Sequence, residues 1–290
     1  MRSLRPFNLL LLTVALAGCA TPRVPPEVGR PYDPVLGILY HPFAEPGMPQ
    51  VARPKPDRSG WTQGRMELDL RRLRRARVKV VFVVLEAGSV KLFQLERLHA
   101  FTRLAGDNPD APRVALWLQV RDSASPALRH LISQVVRTGA PKSRGWYRLD
   151  NRPLLVLEDV GRAMPRHPAF TFRRAGGDAG NWAAPTGPQS APRFGANGRQ
   201  ALVSGGYWDA GRDEWVVPRN HGRTLRDQLW QAALRRPDII VVSSWDAFHR
   251  GDFLVPNTLD GENAYERLVE EGQWLEGLAR TVSTASRGGN

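Results

Sequence analysis

A chain of 290 residues, 42% hydrophobic and 8% aromatic, can bury one sizeable core. Its single cysteine, Cys19, excludes an internal disulfide and with it a small disulfide-held scaffold. The 41 Lys and Arg against 28 Asp and Glu give a formal charge of +13. That excess reads equally as codon bias towards arginine or as attraction for anionic lipid or acidic glycan.

The N-terminus does not belong to the core. Arg2 and Arg5 form a basic patch before Leu9 to Ala17, an apolar stretch too short to span a bilayer comfortably. Leu16-Ala17-Gly18-Cys19 then resembles a bacterial lipobox, whose cysteine is acylated and becomes the mature N-terminus. Residues 1–18 are therefore expected to be a lipoprotein signal peptide. Residues 19–34, with five prolines after Cys19, are expected to be a semi-rigid tether. Ala20, in place of aspartate, favours the outer membrane by likeness to sorting signals. Removal of Arg2 and Arg5 still leaves 39 basic residues (41 less two) against 28 acidic ones. Export away from the cytoplasm disfavours nucleic acid as a partner.

From residue 35 the pattern alternates. VLGILY (35–40) is expected to be a strand, RMELDLRRLRRAR (65–77) a helix with a solvated arginine face, and VKVVFVVLE (78–86) a buried strand. LFQLERLHAFTRLA (92–105) follows as a helix and RVALWLQV (113–120) as a strand. PALRHLISQVVRTG (126–139) is a helix stopped by Gly139, and RPLLVLED (152–159) a strand. PAFTFRR (168–174) is a weaker strand, and 175–198 a Gly-, Ala- and Pro-rich loop. ALVSGGYWD (201–209), the helix at 224–236, DIIVVSSWD (238–246) and a helix at 262–280 complete the series. Val/Ile/Leu-rich strands separated by helices predict a parallel sheet covered by helices. A single (β/α)8 TIM-like barrel over residues 35–281 fits seven or eight such units, with an open doubly wound parallel sheet as the alternative. Residues 282–290 are expected to be a tail.

In such a barrel the site lies at the C-terminal strand ends. Those ends carry Tyr40 and His41, Glu86, Arg121 and Asp122, Glu158 and Asp159, Trp208 and Asp209, and Trp245 and Asp246. Carboxylates beside tryptophans suit a sugar: aromatic faces stack on pyranose rings and two carboxylates can serve as acid and base. No GxxxxGK[ST] loop, GxSxG elbow or HxxxH pair occurs, so no cofactor and no metal is expected.

The order of segments resembles the glycoside hydrolase 99-like barrels, which include endo-acting α-mannosidases and WbsX-like proteins of polysaccharide gene clusters. LYHPF (39–43), MELDLRRLRRARVKVVFVVLEAG (66–88), YRLDNRPLLVLED (147–159) and the block from GGYWD to SSWDAFHRGD (205–252) carry the likeness. That family ends its corresponding strand in Asn-Glu-Trp-His-Glu-Gly, whose two glutamates are catalytic. Here the stretch is Asp246-Ala247-Phe248-His249-Arg250-Gly251, so Ala247 and Arg250 stand where the resemblance implies glutamates. Neither alanine nor an always-charged arginine can move a proton. Two expectations follow. In one, an endo-acting hydrolase uses other acids: Glu86, Asp246, Glu158 and Asp252. In the other, a non-catalytic pseudoenzyme holds an envelope or capsular polysaccharide, or the chain is an envelope structural lipoprotein with a vestigial cleft. Tyr40, His41, Trp208, Asp209, Trp245, His249 and Arg250 would make the contacts, Arg250 through its planar fork.

Overall fold

The computed structural model describes residues 32–43, 60–120, 126–158, 164–176, 181–185, 187–209, 212–247, 252–257, 259 and 263–287. The expected signal peptide, Cys19 and nearly all of the tether lie outside the described residues.

Seven strands run parallel: β1 (Val35–Tyr40), β2 (Val80–Glu86), β3 (Arg113–Gln119), β4 (Arg152–Glu158), β5 (Thr171–Ala175), β6 (Gln200–Ser204) and β7 (Ile239–Ser243). They pair in the order β5-β4-β3-β2-β1-β7-β6, so the first strand lies between the second and the last. A doubly wound sheet reverses its order at a switch point and carries helices on both faces. This order never reverses, which corrects the doubly wound alternative.

The buried side chains explain why. Five helices follow from 3.6-residue periodicity: α1 (Gln63–Arg75), α2 (Leu92–Asp107), α3 (Pro126–Arg137), α4 (Arg223–Leu234) and α5 (Asn263–Arg287). In α1, Thr62 caps the Arg65 amide while Met66, Leu70 and Leu73 are buried; in α3, Leu128, Leu131, Ile132 and Val135 are. All five helices join one buried cluster with alternate strand residues such as Ile38, Val81, Val83, Leu116, Leu155 and Val242. The intervening residues, among them Leu39, Phe82, Val84, Trp117, Val156, Leu202 and Val241, form a second cluster with no helical member. Strand alternation thus sorts the core into a convex layer under the helices and a concave layer inside the curl. Every residue of both clusters lies between Tyr32 and Leu278, so a chain starting at Ala20 carries the whole core.

Among the described residues the sheet is open: it curls, but no ladder joins β5 to β6. The segment between them adds only a two-residue strand, Arg193–Phe194, antiparallel to β6. Trp182 makes one bridge to Ala175 of β5, the Ala183 amide donates to the buried Gln200 side chain of β6 at 2.6 Å, and Gln189 donates to the Leu202 carbonyl at 2.6 Å. Pro185, Pro188 and Pro192 lack the N–H groups a ladder needs. The expected loop is therefore part of the wall: Trp182, Ala183 and Ala184 are buried in the concave cluster.

The expected strand at 201–209 divides. Gly205 and Gly206 end β6 where a Cβ would meet Leu254 Cδ2 at 2.9 Å and Arg219 Cγ at 2.6 Å. The chain then folds into an antiparallel ribbon, Tyr207–Asp209 against Glu214–Val217. A second ribbon, Asp246–Ala247 against Asp252–Phe253, follows β7. No helix among the described residues is long and apolar enough to cross a membrane.

Candidate functional site

The same alternation decides which strand-end residues face the concave mouth. On β2, Val80, Phe82 and Val84 are concave, so Glu86 is too; on β3, Ala115 and Trp117 carry Gln119; on β4, Leu154 and Val156 carry Glu158. Register aligns these ends in one row, Glu86 beside Gln119 and Gln119 beside Glu158. His41 beyond β1, Ser204 on β6 and Ser243 on β7 fall on the same concave side by parity, at lower register positions than Glu86. Two strand spacings separate the Glu86 and Glu158 backbones, about 10 Å.

Beneath this polar row lies an aromatic floor. Phe82 meets Trp117 and Trp182 edge-on at 5.8 Å and 5.6 Å, and the two indoles lie 6.1 Å apart. The floor also fixes an acid. The Glu158 carboxylate, 3% exposed, accepts the Trp117 indole N–H at 2.6 Å and the Gln119 amide at 3.5 Å. Glu86 is half-buried, and the Ser89 hydroxyl donates to its carbonyl and lies 3.5 Å from its carboxylate. Trp117→Phe is expected to remove the 2.6 Å donor to the buried Glu158 carboxyl group, costing about 2 kcal/mol of stability. Turning Glu158 out of place, it should also weaken any ligand held at the mouth; urea unfolding and ligand titration of the variant read the two effects.

Three expected site residues lie elsewhere. Tyr40 and Trp245 are each 0% exposed and belong to the convex layer. The Tyr40 ring stacks on Phe101 at 5.6 Å, and the Trp245 indole meets Tyr265 edge-on at 5.9 Å. Neither offers a face to a sugar: Tyr40 is one residue out of phase with the concave side, and Trp245, two residues beyond the end of β7, packs among the helix-side residues. Asp246 is bound into a buried network. One carboxylate oxygen accepts the His41 backbone N–H at 2.6 Å and the other the Arg65 guanidinium at 2.6 Å. Arg65 Nε lies 3.4 Å from Asp69, which also accepts the Tyr40 hydroxyl at 2.9 Å.

Burial, and then the Asp69 carboxylate, holds the Tyr40 phenol well above its usual range, so it stays a neutral donor. Burial opposes the Arg65 charge most, but the Asp246 and Asp69 carboxylates beside it lift its pKa above the ordinary arginine value. Asp246 serves here as a latch that ties the end of β7 to the end of β1 and to α1.

Trp208 and Asp209 sit half-exposed in the first ribbon, where Trp208 pairs with Trp215 and Asp209 lies 3.6 Å from Arg212. Ala247 is buried and pairs with Asp252 in the second ribbon. The Asp252 side chain, His249, Arg250, Arg121, Asp122 and Asp159 lie outside the described residues. Sequence reasoning missed Gln119, Trp117, Trp182 and Trp215. Gln119 was legible, as the third strand's last residue in step with Glu86 and Glu158. Trp182 was not, since it lies in a stretch without periodicity. Among the described residues, no group of three or more His, Cys, Asp or Glu side chains is placed to hold a metal ion.

No protein-family model and no curated protein matches the chain. Solved structures do. A GH99 endo-α-mannosidase from Bacteroides thetaiotaomicron, in complex with bis-tris-propane, superposes with a TM-score of 0.66 at 15% identity over 86% of this chain and 99% of that one. A second structure of GH99 endo-α-mannosidase from that organism gives 0.64 at 14% identity, over 85% and 98%. A glycoside hydrolase-like protein gives 0.58 at 11% identity, over 87% and 97%. The chain thus has a glycoside-hydrolase-like α/β fold related to that of GH99, with an open, curled sheet; such identities carry no residue's role across.

Proposed function

We propose that the protein is a glycoside-hydrolase-like lipoprotein that holds an envelope or capsular polysaccharide in the concave mouth. Its fold is read as a TIM-like barrel whose missing side is filled by residues 181–198. The outer-membrane anchor on Cys19 is part of this proposal, as is the absence of nucleic acid among its partners. The carrying observation is the row of Glu86, Gln119 and Glu158 above the Phe82–Trp117–Trp182 floor, in a fold shared with endo-α-mannosidases. Carboxylates and amides of that kind suit sugar hydroxyls, with Trp208 and Trp215 as ring platforms on the neighbouring ribbon.

Binding without turnover is the first reading, because Asp246 is engaged by Arg65 and the positions resembling catalytic glutamates are Ala247 and Arg250. Hydrolysis is favoured by one observation: Glu86 and Glu158 face the same side with a single strand between them. A backbone span of about 10 Å is on the scale of an inverting pair rather than a retaining one. The test incubates protein beginning at residue 20 with α-mannans, α-glucans and acidic envelope polysaccharides, and follows binding and new reducing ends together. Binding abolished by Glu158→Gln, with no product, supports the first reading. Product lost in both Glu86→Gln and Glu158→Gln supports the second. No binding to any glycan would overturn both.

A further inference from the structure

The charges of the fold are polarised along the strand axis. Lys79, Arg144 and Arg152 are exposed where β2, the segment entering beside β3, and β4 begin. Arg137 and Lys142 are exposed at and just beyond the C-terminal end of α3, on the same side. Three carboxylates on this side are engaged with other arginines, Asp150 with Arg173 at 3.2 Å, Asp238 with Arg199 at 2.5 Å and Glu276 with Arg77 at 3.2 Å, while Asp33, Asp107 and Asp110 are exposed here too. Lys79, Arg137, Lys142, Arg144 and Arg152 have no carboxylate within ion-pair distance among the described residues. The opposite end carries Glu86, Glu158, Asp209, Glu214 and Asp246, mixed with the exposed cations Lys91, Arg212 and Arg223.

The chain also enters the fold on the basic side. Tyr32, three residues before β1, lies under the Arg236 guanidinium at 5.3 Å, close to the start of β7. Whatever the preceding 31 residues attach to is therefore tethered to the basic end, not to the mouth.

We propose that this basic end is a docking face for an anionic lipid surface. A bilayer carrying anionic headgroups attracts each nearby Lys or Arg by about 1 kcal/mol, an effect confined to roughly a Debye length. Cations at the strand starts fall within that layer when the base lies flat on the membrane. The mouth is then held about 20 Å away, the length of a seven-residue strand, and opens away from the bilayer. The face acts without the acyl group, and it rests neither on the glycan reading nor on acylation of Cys19.

The test is flotation of protein beginning at residue 20 with phosphatidylcholine vesicles, with and without phosphatidylglycerol, at rising salt. Binding is expected only to the anionic vesicles, and it should weaken with salt. Lys79→Glu/Arg144→Glu/Arg152→Glu should lower partitioning by more than about 100-fold, since losing three attractions alone is worth about fivefold each. The charge-neutral triple Lys79→Gln/Arg144→Gln/Arg152→Gln gives the same direction should the reversed variant misfold. Lys91→Glu/Arg223→Glu, at the start of α2 and α4, should leave partitioning nearly unchanged. Equal binding to neutral vesicles, or equal loss in both sets of variants, would overturn the proposal. So would capture by an acidic polysaccharide with none by vesicles, which would make the face a glycan site.

Discussion

Replacing Arg65 by methionine is expected to cost about 3–5 kcal/mol, the range for removing one partner from a buried ion pair. The guanidinium faces two carboxylates, Asp69 at 0% and Asp246 at 6% exposure, and neither has water to fall back on. Methionine preserves the apolar stem against the Tyr40 ring but leaves both charges without their cation. Asp246→Asn should cost less, about 1–2 kcal/mol, since the amide oxygen can still accept the His41 N–H. Equilibrium unfolding in urea measures both. The pair also separates architecture from chemistry: Asp246→Asn should keep glycan binding at the mouth, whereas Glu158→Gln should not. Loss of binding in a folded Asp246→Asn variant would return that carboxylate to the site.

The second large effect is at Gly272, where α5 crosses the end of α1. A Cβ there would lie 2.0 Å from the Ala76 carbonyl oxygen, a backbone atom that cannot turn aside. Ala76 closes α1 by donating its N–H to Arg72, so the clash also pushes on that helix end. Gly272→Ala should destabilise by about 3 kcal/mol, even after the gain of about 1 kcal/mol that alanine brings to a helix interior. Gly277, five residues on, has nothing within 4 Å of its would-be Cβ. Gly277→Ala should therefore show the propensity gain alone. Thermal unfolding of the two variants gives opposite signs if the close approach is real, and the same sign if it is not.

The latch at Arg65 shows why part of the site escaped a linear reading. SSWDAF was legible as a strand running into a polar, aromatic cluster. Which way each side chain turns could not be counted along the strand, which ends at Ser243. Trp245 falls on the helix side with Tyr265, and Asp246 meets an arginine 181 residues away in the chain. Glu86 and Glu158 were legible because each closes an uninterrupted apolar strand, where parity can be counted back through Phe82 or Val156. Trp182 had no such strand to be counted along.

The sequence by itself determined the parts whose signal is local. Helices at 63–75, 92–107, 126–137 and 223–234 follow from 3.6-residue spacing, and the buried strands from Val/Ile/Leu runs that suit a sheet covered on both faces. Only the tertiary structure decided what depends on distant partners: the single winding that puts β1 beside β7, and the wall around Trp182 to Ala184 in place of a further parallel strand. It also decided the division of strand-end acids into a mouth pair and a buried latch. Periodicity is a property of a few consecutive residues, whereas register, closure and counter-charge belong to pairs of residues far apart in the chain, and only folding brings those together.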